Sequence, residues 1–175
     1  MEALVPYASA TVTGFTVLVL ARAAWHKLAA YHETVGFAQG YGLVPAAWTY
    51  PLVRALTAAE ILAIALMFLP QTRGFGGLMA AGLFGGYGLL MVLALRQGRS
   101  EIDCGCGGAP QIVSGLTLGR NALLAVLALG IALIPAGPVG VAGALASLAA
   151  GLTLFAVFGV AEKLASHLPN IRRTA

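Results

Sequence analysis

Long apolar runs separated by short polar or Pro/Gly-rich intervals set the pattern of this chain. Apolar stretches cover about residues 11–30, 51–69, 75–95, 116–134 and 139–160, each near the ~20 residues that a helix needs to cross a bilayer. None alternates with a period of two over the ~10 residues of a barrel strand. The predicted fold class is therefore all-α, a polytopic membrane helical bundle with five spans, forming one integral membrane domain over residues 1–175.

The intervals define the order of the spans. Leu69-Pro70-Gln71-Thr72-Arg73-Gly74 and Pro135-Ala136-Gly137-Pro138 are hairpin-short breakers, which makes the helices on either side of each antiparallel neighbours. Two longer connections fall on one common face. Residues 31–50 carry Phe37, Tyr41, Trp48 and Tyr50 among glycines and Pro45, as suits a segment, possible as a short helix, lying at headgroup depth. Residues 96–115 form a polar loop with the only two cysteines, Cys104 and Cys106. Glycines at 74, 76, 77, 82, 85, 86, 143 and 151 are read as packing positions that let helix backbones approach in lipid.

Composition agrees with this pattern. The chain is 59% hydrophobic and 9% charged, with a mean hydropathy of +0.90, whereas soluble domains carry about 25% charged residues. A soluble enzyme, a disordered tail and a nucleic-acid module are excluded together. The net charge of +4 makes no basic patch, so no nucleic-acid partner is expected; the lipid bilayer is. Met1-Glu2-Ala3 offers no basic leader, and the first run exceeds the ~7–15 residues of a signal core. It is expected to remain as the first membrane helix.

The chemistry is expected at Cys104-Gly105-Cys106. A disulfide across one intervening residue closes a strained ring, and Gly105 tolerates the backbone such a ring needs. Strained, exposed disulfides are the more oxidising ones, and so short a loop contributes little chain-entropy stabilisation. The pair reads as an exchangeable redox couple. Two incidental thiols, or a soft pair for Cu(I), Hg(II) or Zn, are the alternatives. A closed zinc site needs about four ligands, and His26, His32 and His167 are scattered, so no resident metal is expected.

Intramembrane charges give the second signal, because an ionisable group in hydrocarbon usually has a partner or a task. Glu60 lies ~13 Å and Arg22 ~12 Å from the cysteine face at the helical rise. Similar depth lets them pair, as a structural clamp or with a proton or cofactor role. His26 shares a helix face with Arg22, and Lys27 can snorkel or enter a site. Arg120-Asn121 lie early in the fourth span, where Arg120 can stabilise a thiolate or a quinone oxygen, or reach the headgroups.

Lys27-Leu28, Gly42-Leu43-Val44-Pro45, Glu60, Asp103-Cys104-Gly105-Cys106-Gly107 and Arg120-Asn121 follow one another in an order that resembles the MauE/DoxX family of redox-associated membrane proteins. The resemblance covers roughly residues 12–133 and implies a four-helix core, which the fifth span extends. The Asp-Cys-Gly-Cys cluster is its most specific element. Gly107-Gly108 stand where the family usually continues Phe-Gly, so aromatic packing on the thiols is lost. The resemblance implies a thioredoxin-like (MauD-like) partner and maturation of a disulfide-rich dehydrogenase subunit. The layout is also similar to that of DsbB and the vitamin K epoxide reductases, which implies a membrane quinone as cofactor. Arg120, Lys27, Glu60 and His26 are the candidate cofactor-binding residues. Those bundles carry a second, shuttle cysteine pair, which is missing here. By the same analogy Cys104 meets the partner and Cys106 faces the cofactor.

The expected function is that of a membrane thiol–disulfide oxidoreductase, with Cys104 and Cys106 catalytic. A conduit of reducing equivalents and a thiol-dependent metal carrier are the alternatives. Charge and resemblance disagree on sidedness in the inner membrane. The cysteine face carries Lys27, Arg54, Arg96, Arg99, Arg120, Lys163, Arg172 and Arg173 against Arg73 opposite, which by the positive-inside rule places it in the cytoplasm. Disulfide formation requires the oxidising side, and the resemblance implies an extracytoplasmic cysteine loop.

Overall fold

The structure, a computed structural model, describes residues 4–98 and 113–174, with side chains described as far as residue 167. Six helices follow in order: α1 (Val5–Ala29), α2 (Tyr31–Gly40), α3 (Ala46–Phe68), α4 (Arg73–Arg96), α5 (Gly115–Leu133) and α6 (Val141–Thr174). Five of them are long and apolar enough to cross a membrane, and no strand occurs among the described residues. The chain is a multi-pass helical membrane protein. Connectivity places α2, the end of α4, the start of α5 and the C-terminal end of α6 on one face, and the two short hairpins on the other.

Several boundaries differ from the apolar runs, each for a local reason. The first helix begins at Val5, not near residue 11, with a proline in its first turn, where the missing N–H would have had no intrahelical acceptor. The second span starts at Ala46, so Pro51 lies inside α3. Pro45 is the N-cap, with an extended backbone, and its carbonyl accepts from Trp48. The last helix runs past the expected end near residue 160 to Thr174, as no turn chemistry interrupts Gly159-Val160-Ala161-Glu162-Lys163.

The interfacial segment expected after the first span is the ten-residue helix α2. Tyr31 donates to the carbonyl of Tyr50 at 2.9 Å, and the Arg54 guanidinium lies 5.5 Å from the Tyr31 ring centroid. These contacts pin α2 across the start of α3. Trp25, Trp48 and Tyr50 are exposed nearby, forming part of an aromatic belt.

The core lies between α1, α3, α4 and α5, around Leu20, Ala63, Ala80, Phe84, Leu124 and Ala128. Consecutive glycines in α4 set its two closest crossings. A Cβ on Gly76 would come within 2.9 Å of the Ala63 carbonyl in α3, and one on Gly77 within 2.9 Å of the Ala128 carbonyl in α5. Gly82, Gly85 and Gly86, also expected to be packing positions, instead face open space on the outer side of α4. At the hairpin end Arg73 is buried, donating to Thr13, to Ser9 and to the carbonyl of Ile134. It thereby ties α1 and the end of α5 to the start of α4.

The outermost helix is α6, which packs chiefly on α1. Phe158 meets Phe15 edge-on at 5.6 Å between ring centroids. A Cβ on Gly151 would lie 3.2 Å from the Thr11 carbonyl, so the two helices approach backbone to backbone there.

Candidate functional site

The periodicity of α1 sends its two deep cations to different places. Thr16, Leu20 and Lys27 share the buried face toward α3 and α4, whereas Phe15, Val19 and Arg22 turn toward α6. Arg22 and Lys27 are five residues apart, about 140° around the helix. Lys27 is therefore the residue that pairs with Glu60, at 2.8 Å, and both are almost fully buried, 4% and 0% exposed. The expected Arg22–Glu60 clamp does not form, because similar depth does not compensate for facing away.

Tyr87 in α4 completes this cluster. Its hydroxyl donates to the same Glu60 oxygen, Oε1, at 2.8 Å, and the Lys27 ammonium lies 5.3 Å from its ring centroid. The second carboxylate oxygen, Oε2, is buried with no hydrogen-bond partner among the described residues. Among the described residues, a buried carboxylate so placed is held by the ammonium and the phenol. Removing either strands charge in a medium that screens it weakly.

A second cluster binds α1, α5 and α6. Glu162 Oε2 accepts from Arg22 Nη2 and Oε1 accepts from Arg120 Nη1, each at 2.5 Å. The guanidinium of Arg22 also lies 5.4 Å and 5.3 Å from the rings of Phe155 and Phe158, close enough for cation–π attraction. Arg120 is thus engaged by a carboxylate inside the bundle. Its neighbour Asn121 is buried, with Nδ2 donating to the Thr117 carbonyl at 3.0 Å and to Met91 Sδ at 3.6 Å.

The four residues expected to gather around a cofactor are divided. Lys27 and Glu60 meet in one cluster and Arg120 belongs to the other. His26 joins neither; its Nδ1 is buried without a hydrogen-bond partner among the described residues. Sequence reasoning missed Tyr87 and Glu162. The expected fifth span stops near residue 160, two short of Glu162, though Phe155, Phe158 and Glu162 already follow a helical period. Nothing in the apolar run around Tyr87 marks which way its hydroxyl turns.

Tyr87 stands between two cavities. The larger, about 80 Å³, lies beneath α2 and is lined by Lys27, Phe37, Tyr41, Leu56, Tyr87 and Met91 with further apolar side chains. A smaller one of about 20 Å³ touches Tyr87, Arg22, Arg120, Asn121 and Glu162. A single water needs ~10–15 Å³ on this measure, so the smaller admits one and the larger several times that.

Cys104 and Cys106 lie outside the described residues. The ends of the chain that carries them are described. Helix α4 closes at Gln97, followed by Gly98 at φ 71°, a backbone region that favours glycine. The chain is described again from Val113, and Ser114 and Thr117 form a reciprocal capping box at the start of α5. Val113 is buried in a small cluster with Tyr41, Met91 and Ala94. Tyr41 and Met91 also line the larger cavity, so Ala94 near the end of α4 and Val113 just before α5 pack beside it.

A family profile described as methylamine utilisation protein MauE matches residues 5–135, α1 through α5. The chain is 35% identical to the methylamine utilization protein MauE of Methylorubrum extorquens over 161 residues, 88% of this chain and 86% of the relative. It is 33% identical to MauE of Paracoccus versutus over 86% of this chain and 83% of that one. Its identity to MauE of Methylophilus methylotrophus is 29%, over 85% and 80% respectively. No solved structure matches it.

Proposed function

The chain belongs to the MauE family of methylamine utilisation proteins, and from that premise we propose that it is a membrane thiol–disulfide oxidoreductase acting through Cys104 and Cys106. The observation that carries the reading is the packing of the described residues on either side of the 99–112 stretch. Ala94, near the end of α4, and Val113, just before α5, pack with Tyr41 and Met91, beside a cavity whose lining includes Lys27, Thr34, Tyr41 and Tyr87, with Glu60 bonded to Lys27 and Tyr87.

In this reading a thiolate of a thioredoxin-like, MauD-like partner attacks the Cys104–Cys106 disulfide and forms a mixed disulfide with Cys104. The partner's second thiolate then attacks that bond. The partner leaves with a disulfide, and Cys104 and Cys106 leave as thiols, so two electrons and two protons have passed to this chain. A quinone, when bound, supplies the acceptor for that pair of electrons and protons as the dithiol closes again. The residues that would serve it are Lys27, as a donor in an apolar cavity, and Tyr87 with Glu60, as groups able to hold a proton. The oxidised partner would serve maturation of disulfide-bonded proteins of the methylamine system.

Co-expression with the thioredoxin-like partner tests this. With a partner whose second cysteine is replaced by serine, the parent chain should accumulate a covalent adduct through Cys104 that collapses on reduction, and the Cys104→Ser/Cys106→Ser chain should form none. If the double variant restores growth on methylamine as fully as the parent in a host lacking its own MauE, the thiol reading fails.

The basic residues favour a second reading. Lys27 and Arg120 are committed to internal ion pairs, yet Arg54, Arg96, Lys163 and the arginines near the end of α6 remain on the cysteine face, whereas Arg73 opposite is itself buried. A cytoplasmic cysteine face would make the pair a carrier of reducing equivalents toward the partner.

A further inference from the structure

Lys27 has more hydrogen-bonding capacity than its surroundings use. An ammonium carries three N–H donors; one goes to Glu60 Oε1 and the others find no acceptor among the described residues. The side chain is 4% exposed and lines the cavity beneath α2. Leaving such donors unmade is costly away from water. The remaining walls are nearly all apolar and include the rings of Phe37, Tyr41 and Tyr87.

Charge narrows what belongs there. Lys27 and Glu60 cancel each other, so an anion would have to displace a carboxylate already in place, and a cation would face the ammonium. An uncharged molecule with an acceptor oxygen meets neither obstacle. Leu52, Val53, Leu56 and Met91 belong to membrane-spanning stretches of α3 and α4, so the molecule arrives dissolved in lipid. Flat aromatic walls suit a flat ring.

We infer that the cavity beneath α2 binds the ring of a lipid-soluble, uncharged carbonyl compound, a quinone, with Lys27 donating to its oxygen and Tyr87 forming part of the wall. The inference rests on the quinone-linked reading above and assigns it to one of the two polar clusters. The Arg22–Glu162–Arg120 cluster is then a structural tie, because its carboxylate already engages both guanidinium groups. The hydroxyl of Tyr87, bonded to Glu60, places an exchangeable proton at the cavity wall.

Calorimetric titration of the purified full-length chain in detergent with decylubiquinone tests the site without turnover. The parent should bind saturably at one site per chain. Leu56→Trp, which fills the cavity and leaves every polar group in place, should weaken binding at least tenfold. Lys27→Met/Glu60→Gln, which removes both charges together and so strands neither, should do the same. Monodispersity and helical circular dichroism confirm that each variant is folded. Saturable binding that survives both variants overturns the inference, as does an absence of binding by the parent, which would leave water as the content of the cavity. Loss confined to Arg120→Gln would move the ligand to the other cluster and also overturn it. The Cys104→Ser/Cys106→Ser chain should bind decylubiquinone as the parent does. Normal binding with no thiol exchange by the parent would therefore sink the thiol reading alone, and thiol exchange with no binding would sink this site alone.

Discussion

Arg22 and Glu162, 140 residues apart in the chain, meet at 2.5 Å and join the first helix to the last. Helix α6 otherwise presents mostly apolar side chains outward; only 11% of its most apolar stretch is buried. Phe15, Phe158 and the close approach at Gly151 hold it against α1, while Glu162 extends the attachment to α5 through Arg120. Hydrophobic attraction does not draw helices together within lipid. Close packing and these charge-assisted bonds therefore carry the attachment of α6.

Replacing Glu162 by glutamine should strand two partly buried guanidinium groups. Breaking a buried pair from one side costs about 3–5 kcal/mol. Thermal unfolding in detergent should show a loss on the order of 3 kcal/mol, whereas Lys163→Gln, on an exposed neighbour, should leave the transition within ~0.5 kcal/mol. Equal melting of both variants would remove Glu162 from its bridging role.

Lys27 and Glu60 should be strongly coupled. Lys27→Met and Glu60→Gln should each destabilise by about 3 kcal/mol, and the double variant by much less than their sum, because it leaves no unpaired charge. Chemical denaturation of the four proteins gives the coupling directly. Additive losses would mean that the 2.8 Å contact does not govern the site.

Gly77 and Gly82 should respond oppositely to a side chain. A methyl group on Gly77 meets the Ala128 carbonyl and the Ala132 amide at 2.9 Å, whereas one on Gly82 meets nothing within 4 Å. Gly77→Ala should destabilise by about 1–3 kcal/mol, as overpacking does. Gly82→Ala should be neutral or slightly stabilising through helix propensity. Denaturation midpoints of the two variants decide the matter.

Sidedness should be readable from the cysteines. In intact cells a membrane-impermeant maleimide should modify Cys104 and Cys106 after mild reduction and leave them unmodified before it, if the pair is an extracytoplasmic disulfide. Modification only after permeabilisation would place the face in the cytoplasm and favour the reductive direction of exchange.

The positions of the five spans, the short hairpins and the interfacial helix were legible in the sequence, because membrane solvation acts on each stretch locally. A run of about twenty apolar residues satisfies its own backbone as a helix whatever its neighbours do. The Cys-Gly-Cys motif and the unusual depth of Arg22, Lys27, Glu60 and Arg120 were legible for the same reason, since a charge within an apolar run stands out without knowledge of the fold. Which charge meets which was not. Depth along a helix follows from counting residues, but partnership depends on the rotation of each helix about its axis and on which helices lie side by side. Those choices turned Lys27 toward Glu60 and Tyr87, turned Arg22 toward α6, and brought Glu162 from beyond the expected end of its span to bridge two arginines. They are made by interhelical packing among residues far apart in sequence, so only the tertiary structure could decide them.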